Sequence, residues 1–390
     1  MDRQIANTLD PKTPFLCDAA AQTLCGVLET AGFVALFVGG CVRNAVLGLP
    51  ASDMDIATDA RPETVMRIAQ DAGLRVVPSG IDHGTVTVIV GAKAFEVTTF
   101  RRDVATDGRR AVVAFSTDIT EDAQRRDFTM NALYADRAGT IIDPLGGLPD
   151  LRAGRVRFIL DAGQRIREDY LRTLRFFRFH AFYAQPDLGW DADALDGIAA
   201  NLEGLDTLSA ERVGAEMIKL LSAADPAPAL AVMAQTGVLA RVLPGADPTF
   251  VGPLVHIETL VDAAADPMAR LAALGGEDVE SRLRLSRADQ KRLQVIRTHS
   301  ASMLGARAVG HLAGVKAGTG ALLLRAVMSN SVPDATMKAD LVEGAGTIFP
   351  IKASDLPELE GKALGARLSA LKSVWLDSDL AKTKNALLSS

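Results

Sequence analysis

The sequence predicts an α+β fold in which a mixed head precedes an all-helical remainder, and three observations support this prediction. Short apolar runs bounded by turn residues alternate with helical patterns over about the first 150 residues. From Ala162 onward, apolar residues recur at helical spacing almost everywhere. The length of 390 residues is typical of two or three domains. We therefore expect a head that carries the strands, followed by helical domains.

The elements of the head are predicted in order from local patterns. Helices are expected at 14–31 and Pro62–Gly73, where apolar residues recur at helical spacing. Strands are expected at Phe33–Val38, Thr85–Val90, Ala94–Phe100 and Thr140–Asp143. The second and third of these strands should pair across a turn at Gly91. The polar segment Arg101–Thr120 is predicted to be an irregular, mobile loop.

Composition excludes several classes of protein. Hydrophobic residues make up 48% of the chain, enough for sizeable cores, and the net charge of -6 argues against a globally basic nucleic-acid binder. The three cysteines lack Cys-x-x-Cys spacing, so neither a zinc site nor a disulfide framework is indicated. The sequence shows no apolar signal core and no membrane-spanning run, so we expect a cytoplasmic protein without a membrane partner.

Two carboxylates spaced one residue apart form the first candidate site. Asp53 and Asp55 follow a segment, FVGGCVR, that contains a glycine turn. On a strand both side chains point the same way, and like charges so close repel unless a cation lies between them. The pattern indicates phosphate handling beside a divalent metal such as Mg²⁺, although Asp-x-Asp also occurs in solvated turns. Glu96 is either a third carboxylate or a solvent-facing strand residue.

Two arginine-rich segments form the second candidate site. In the motif RRDFTMNA, Arg126 can clamp a triphosphate bidentately, or the arginines and the adjacent aspartate are only an exposed ion pair. The segment REDYLRTLRFFRF places Asp169, Arg172, Arg175 and Arg178 three residues apart on a predicted helix. Residues 151–182 contain eight arginines and three carboxylates, so a polyanion or nucleotide site is expected there.

Asp169 and Arg172 suit the recognition of two bases. Cytosine and adenine carry an exocyclic amine beside a ring-nitrogen acceptor, whereas uracil and guanine carry a carbonyl where the amine would be. A carboxylate can accept from the amine while a guanidinium donates to the ring nitrogen, so this pair can select C and A. Arg175 and Arg178 would then be free for phosphates. The alternative is a basic surface helix with an ordinary ion pair.

In this order, the motifs resemble those of the class II tRNA CCA-adding nucleotidyltransferases and their relatives, the bacterial poly(A) polymerases. The likeness runs from about Phe33 to Phe179 through LFVGGCVRN, SDMDIATDARPETV, FEVTTFRRD, RRDFTMNALYAD, IIDPLGGLPDL and REDYLRTLRFFRF. It implies a DNA polymerase beta-like nucleotidyltransferase head at 1–150. A helical neck with a nucleotide-template helix at 151–225 and an RNA-binding helical body and tail at 226–390 are expected to follow.

The resemblance also implies roles for single residues. Asp53 and Asp55 match the catalytic, metal-binding aspartates, and Mg²⁺ is the expected cofactor. The matches to nucleotide contacts are Gly40, Arg43, Arg126, Arg175 and Arg178, and the matches to the amino-acid template that reads C and A are Asp169 and Arg172. The implied reaction adds CCA to the tRNA 3′ end from CTP and ATP, with release of pyrophosphate.

Some features depart from the family pattern, and some alternatives stay open. Asn44 stands where an aspartate is usual, and Tyr170 where a proline is usual. The head motifs do not separate CCA addition from poly(A) synthesis, or from addition of only CC or only A. Residues 331–390 hold seven Lys/Arg against eight Asp/Glu, unlike the basic extension of many bacterial poly(A) polymerases, which favours CCA addition. Small-molecule nucleotidyl transfer and a catalytically silent RNA-binding protein are more distant alternatives, and the oligomeric state is left open.

Overall fold

The computed structural model describes residues 7–50, 53–107 and 110–389, which belong to two compact units, Met1–Thr207 and Leu208–Ser390. In the described part of the chain, all strands lie in the first unit and the second unit is helical. This distribution confirms the predicted α+β class, with a strand-bearing head and a helical remainder.

The first unit is built on a seven-stranded sheet and a separate two-stranded hairpin. The strands are β1 (Leu36–Val38), β2 (Asp55–Thr58), β3 (Arg75–Gly80), β4 (Thr85–Val90), β5 (Lys93–Thr99), β6 (Arg101–Asp107), β7 (Arg110–Phe115), β8 (Tyr134–Ala135) and β9 (Ile141–Ile142). The sheet order is β3-β4-β5-β2-β1-β8-β9, and β6 pairs with β7. Strands β2 and β5 run parallel, and the other neighbours are antiparallel.

The first unit also contains short helices. In the described part of the first unit they are α1 (Ala19–Thr30), α2 (Gly40–Leu47), α3 (Pro62–Asp71), α4 (Ile119–Gln124), α5 (Leu148–Ala153), α6 (Ala162–Glu168), α7 (Leu171–Tyr183) and α8 (Ala192–Ala199). Leu36, Phe100 and Tyr134 belong to one buried cluster that joins the sheet to α4. The sheet and α4 therefore share one core.

The local predictions for the head were mostly sound. The helix at Pro62–Asp71 and the antiparallel strands β4 and β5 are present as expected. The loop predicted at Arg101–Thr120 is wrong, because most of it forms the hairpin of β6 and β7 and the start of α4. The dipeptide at 107–108, Asp-Gly, is a hairpin signal that the polar character of the segment concealed. Strand β3 was not predicted.

Strand register determines which side chains reach the open face of the sheet. Strands β4 and β5 pair in continuous register across a two-residue turn that begins at Gly91. On β5, Phe95 and Val97 are buried, whereas Glu96 between them is exposed. The partner of Glu96 on the parallel strand β2 is Asp55. The ladder therefore sets these two carboxylates side by side.

The second unit consists of helices in its described residues. They are α9 (Ala210–Leu221), α10 (Ala227–Gln235), α11 (Val238–Val242), α12 (Val251–Leu260), α13 (Pro267–Leu274), α14 (Val279–Arg282), α15 (Arg287–Ser300), α16 (Ala306–Met328, interrupted at Gly314), α17 (Met337–Gly346), α18 (Gly361–Asp377) and α19 (Lys384–Leu388). Trp375 is buried within a separate cluster towards the end of the chain. None of the described helices combines the length and apolar character that crossing a membrane requires.

Candidate active site

A cleft of about 600 Å³ beside strands β2 and β5 brings three carboxylates together. Asp53, Asp55 and Glu96 all line it, together with Lys93. Asp55 is the first residue of β2, so Asp53 lies before the strand. The sequence argument had placed both aspartates on the strand. Both aspartates nevertheless reach the same cleft. The predicted carboxylate pair and the candidate third carboxylate therefore share one site.

Burial and repulsion within this cleft both act on the pKa of Asp55. Burial and the negative charges of Glu96 and Asp53 raise the pKa of the Asp55 carboxyl to about 6, and Arg126 acts in the opposite direction. The ordinary value for an aspartate is 3.8. The cleft thus disfavours three simultaneous negative charges unless a cation balances them.

The donor set of the cleft fits a hard divalent cation, because carboxylate oxygens are the ligands that Mg²⁺ prefers. Among the residues that the structure describes, no three acidic, histidine or cysteine side chains converge closely enough to enclose a metal by themselves. Magnesium sites in proteins commonly use one or two carboxylates and complete their shell with water and substrate phosphates. Asp53 and Asp55 are therefore suited to a magnesium ion that is shared with a phosphate ligand.

A glycine turn forms the second part of the site. Gly39 has a φ of 72° and directly precedes α2, whose first residue is Gly40. A Cβ at Gly39 would lie 3.5 Å from Nη1 of Arg126, so this guanidinium lies against the turn. The first N–H groups of a helix have no intrahelical acceptors and carry partial positive charge. The turn and Arg126 together form a suitable place for an anion.

Arg126 is held by two residues that the sequence had not indicated. Its Nη2 donates to Oδ2 of Asp122 at 3.0 Å, and its Nε donates to the hydroxyl of Tyr134 at 3.2 Å. Tyr134 in turn donates to Asp122 at 2.7 Å. Burial alone would raise the pKa of Asp122, but Arg126 and Arg125 outweigh it and the pKa falls to about 2. Asp122 therefore stays charged and fixes the guanidinium of Arg126.

The aspartate of the same motif has a different role from the one expected. Asp127 is buried and accepts from Nε of Arg175 at 2.7 Å and from Nδ2 of Asn131 at 3.1 Å. Burial would raise the pKa of Asp127, but Arg175 and these hydrogen bonds lower it to about 2. The exposed ion pair given as the alternative is therefore wrong. Arg175, which was expected to be free for phosphates, also pairs with Asp127 and so connects α7 to the motif RRDFTMNA.

The predicted row of charged residues on one helix needs a correction. Helix α7 begins at Leu171, so Asp169 lies outside it, in extended conformation at the end of α6. Oδ1 of Asp169 accepts from the backbone N–H of Leu171 at 3.2 Å. Arg172, Arg175 and Arg178 do share α7, as predicted. Because Asp169 is extended, it does not share the helical spacing of Arg172, Arg175 and Arg178 that the sequence suggested.

Arg172 is fixed from several sides. Oε2 of Glu168 accepts from its Nη1 at 2.7 Å, and the backbone carbonyl of Arg165 accepts from the same nitrogen at 3.0 Å. The carbonyl of Arg125 accepts from Nη2 at 3.0 Å. Arg125 directly precedes Arg126, the residue predicted to clamp a triphosphate, so α7 contacts this segment. The two arginine-rich motifs therefore meet in space.

Two further predicted residues lie on the same elements. Arg43 occupies the first turn of α2 and is buried. Arg178 is half-buried on α7, with its Cζ 4.8 Å from the ring centroid of Phe179. The glycine turn, the motif RRDFTMNA and α7 thus surround one region rich in guanidinium groups.

Sequence comparisons match both units to known proteins. A family profile described as the Poly A polymerase head domain matches residues 35–157, and one described as a probable RNA and SrmB-binding site of polymerase A matches residues 191–250. A CCA-adding enzyme of Geobacillus stearothermophilus is 43% identical over 222 residues, which are 56% of this chain and 52% of the relative. CCA tRNA nucleotidyltransferase 1, mitochondrial, of Homo sapiens is 43% identical over 184 residues, 47% of this chain and 42% of the relative.

Solved structures extend the likeness over the whole chain. The crystal structure of the Bacillus stearothermophilus CCA-adding enzyme in complex with CTP covers 95% of both chains, with a TM-score of 0.77 and 30% identity. The Thermotoga maritima CCA-adding enzyme complexed with tRNA covers 98% of this chain and 95% of its own, with a TM-score of 0.66 and 19% identity, and so shares the fold. The chain belongs to the family of class II CCA-adding enzymes and bacterial poly(A) polymerases. It spans about half the length of the curated relatives that it matches.

Proposed function

We propose that this protein adds C, C and A to the 3′ end of tRNA from CTP and ATP. The observation that carries the proposal is the match over 95% of both chains to a CCA-adding enzyme in complex with CTP. The 3′-hydroxyl of the tRNA attacks the α-phosphate of the nucleotide, and the bond to pyrophosphate breaks. Catalysis then rests on positioning and charge stabilisation, with no covalent enzyme intermediate.

Asp53 and Asp55 are the proposed catalytic residues and the proposed holders of Mg²⁺. The raised pKa of Asp55 supports this role, because burial and the neighbouring charges of Glu96 and Asp53 both disfavour its carboxylate, and a divalent cation would favour it. When bound, Mg²⁺ would supply positive charge beside the triphosphate and the attacking hydroxyl. The two carboxylates fix where that charge is held.

The triphosphate is proposed to lie against the glycine turn. Gly40 offers its backbone N–H there, at the start of α2, and Arg126 offers a guanidinium that Asp122 and Tyr134 hold in place. Further proposed nucleotide contacts are Arg43, Arg175 and Arg178. Because Arg175 also pairs with Asp127, a phosphate would share its guanidinium with that carboxylate.

The base is proposed to be selected by Asp169 and Arg172. The carboxylate would accept from the exocyclic amine of cytosine or adenine, and the guanidinium would donate to the ring nitrogen. Glu168 supports this assignment, because its ion pair with Arg172 at 2.7 Å restrains the guanidinium before a nucleotide arrives. Discrimination depends on such restraint, since a mobile arginine would adapt to the wrong base.

We further propose a nucleotidyltransferase head at 1–150, a neck at 151–225 and an RNA-binding body and tail at 226–390. The tRNA 3′ end, CTP and ATP are the proposed partners. Solved relatives include complexes with CTP, ATP and tRNA, which supports this assignment. The cytoplasmic location stays a prediction, since the human and mouse relatives are named mitochondrial.

The proposal is tested by primer extension on three tRNA transcripts that end before CCA, after C and after CC. Each is offered CTP, ATP, UTP and GTP, singly and together, with Mg²⁺. Products that stop at CCA are expected, with UTP and GTP excluded. The variant Asp169→Ala should lose the preference for C and A over U and G while the transcript still binds.

Other outcomes point to other members of the family. Long A tails would replace the proposal with poly(A) synthesis. Products that stop at CC, or activity confined to the CC-ended transcript, would indicate a partial-activity enzyme. No incorporation on any transcript would contradict nucleotidyl transfer altogether and leave an RNA-binding protein.

A further inference from the structure

The guanidinium of Arg43 is deeply buried, and its hydrogen-bond acceptors are neutral. The side chain is 7% exposed. Its Nη1 donates to Oδ1 of Asn131 at 2.9 Å, and its Nη2 donates to Oδ1 of Asn44 at 3.0 Å and to the hydroxyl of Tyr183 at 2.9 Å. Nε also donates to Asn44, at 3.3 Å. Within the described residues, no carboxylate accepts a hydrogen bond from this cation.

A buried cation to which no carboxylate is hydrogen-bonded is costly, and its charge remains available to an external anion. Burial lowers the pKa of Arg43, although the nearby Asp127 acts in the opposite direction. The four hydrogen bonds engage the N–H donors of the guanidinium except one on Nη1. The neutral acceptors therefore orient Arg43 without cancelling its charge. Asn44 contributes to this state, since an aspartate at the same position would form an ion pair with Arg43.

Tyr183 contacts Arg43 in two ways at once. Besides the hydrogen bond to its hydroxyl, its ring centroid lies 4.4 Å from Cζ of Arg43. Phe179, one helical turn earlier, places its ring centroid 5.1 Å from the same atom. Tyr183 is the last residue of α7, the helix that also carries Arg172. The end of α7 therefore supplies both an acceptor and an aromatic face to a guanidinium on α2.

We propose that Tyr183 is a positioning residue for nucleotide binding, which holds Arg43 so that α7 and the glycine turn meet the same nucleotide. This inference rests on the proposed function, in which Arg43 contacts the nucleotide and Arg172 reads its base. Tyrosine suits the position because it accepts a hydrogen bond and offers a π face while remaining neutral. The guanidinium is thereby ordered, and its attraction for phosphate is kept.

The inference is tested with Tyr183→Phe, which keeps the ring and removes the hydroxyl, and with Tyr183→Leu, which removes both. The matched control is Tyr170→Phe, whose hydroxyl makes no contact with Arg43. Dissociation constants of CTP and ATP are measured by calorimetry with Mg²⁺ and without tRNA. A lost hydrogen bond to a charged group, partly compensated by the remaining ones, should weaken binding about five- to tenfold. Tyr183→Leu should weaken it more, and the control should bind as the wild type does.

Two features of the result separate positioning from general damage to the fold. Because Arg43 is expected to meet phosphates and not bases, CTP and ATP should lose affinity equally, and KM should rise while kcat changes by less than about twofold. In the background Arg43→Met, the change Tyr183→Phe should have no further effect, since its target is gone. Equal binding by Tyr183→Phe and wild type, a loss confined to one nucleotide, or additive losses in the double variant would overturn the inference.

The same measurements distinguish this inference from the proposed function. If the wild type binds CTP but extends no transcript, the proposed reaction is wrong, and the coupling of Tyr183 to Arg43 is still decided by the dissociation constants. If the wild type completes CCA and Tyr183→Phe binds both nucleotides normally, only the positioning role is wrong.

Discussion

The replacement Asp122→Asn removes the buried charge that holds Arg126. Asp122 is 1% exposed and lies 2.8 Å from Arg125 and 3.0 Å from Arg126. Its pKa falls from an ordinary 3.8 to about 2, because these arginines outweigh the effect of burial. At about 1.4 kcal/mol per pKa unit, the charged form stabilises the folded head by roughly 2 kcal/mol at neutral pH. The asparagine keeps hydrogen-bonding capacity but loses this contribution.

The sign of the pH dependence follows from the lowered pKa of Asp122. A carboxyl whose pKa is lower in the folded state stabilises fully above its unfolded pKa, and the stabilisation disappears as the pH falls through the folded pKa. The difference between wild type and Asp122→Asn should therefore be about 2 kcal/mol near pH 6 and under about 1 kcal/mol near pH 2.5. Effects of other carboxyls that titrate alike in both proteins cancel in this difference.

Hydrogen exchange measured by mass spectrometry is the suitable assay, since a chain with two units need not unfold in one step. Peptides that cover α4 and β8 report the local free energy of opening around Asp122. The control is Glu121→Gln on the same helix, because the ion pair of Glu121 with Arg102 is loose, at 3.8 Å. A difference that is absent at both pH values, or that does not shrink on acidification, would refute the reasoning.

Two further predictions concern the carboxylate cleft and the backbone. Asp53→Ala should abolish extension of tRNA but leave RNA binding in a filter assay. Mg²⁺ with CTP should raise the melting temperature of the wild type but not of this variant. Retained turnover in the variant would remove the metal assignment. Gly147→Ala should destabilise the head by about 3 kcal/mol, because the new Cβ would lie 2.1 Å from the carbonyl oxygen of Thr129. Gly346→Ala, whose new Cβ would have no neighbour within 4 Å among the described residues, should melt like the wild type, and equal melting of both glycine variants would contradict the expected clash.

Local patterns predicted the parts of the head in which neighbours in sequence are neighbours in space. Strands β4 and β5 are an example, since alternating apolar residues and the turn at Gly91 suffice to indicate a hairpin. The α+β class followed from the change of periodicity along the chain. Helix α7 was predicted, but the extended conformation of Asp169 before it was not, because the spacing of charged residues does not reveal where a helix is interrupted.

Local sequence patterns did not predict the contacts that support the site. Arg175 and Asp127 are 48 residues apart in sequence, and only the packing of α7 on the head makes them partners. Asp122 lies four residues before Arg126, a spacing that suggests an ion pair on a helix, but no helix was predicted there, and the predicted loop extended into the first two residues of α4. Buried carboxylates are rare, so pattern reasoning assigns such residues to the surface.

The register of β5 has a consequence for how this protein can change over generations. Phe95 and Glu96 are adjacent and both border the carboxylate cleft, but Phe95 is buried whereas Glu96 is exposed. A single residue inserted between the turn at Gly91 and Glu96 would exchange their faces, moving a carboxylate into the core and an aromatic ring into the cleft. Such an insertion would keep every residue of the site in the sequence and still remove the site. The site therefore tolerates a change in the length of this segment less well than it tolerates substitutions at many surface residues.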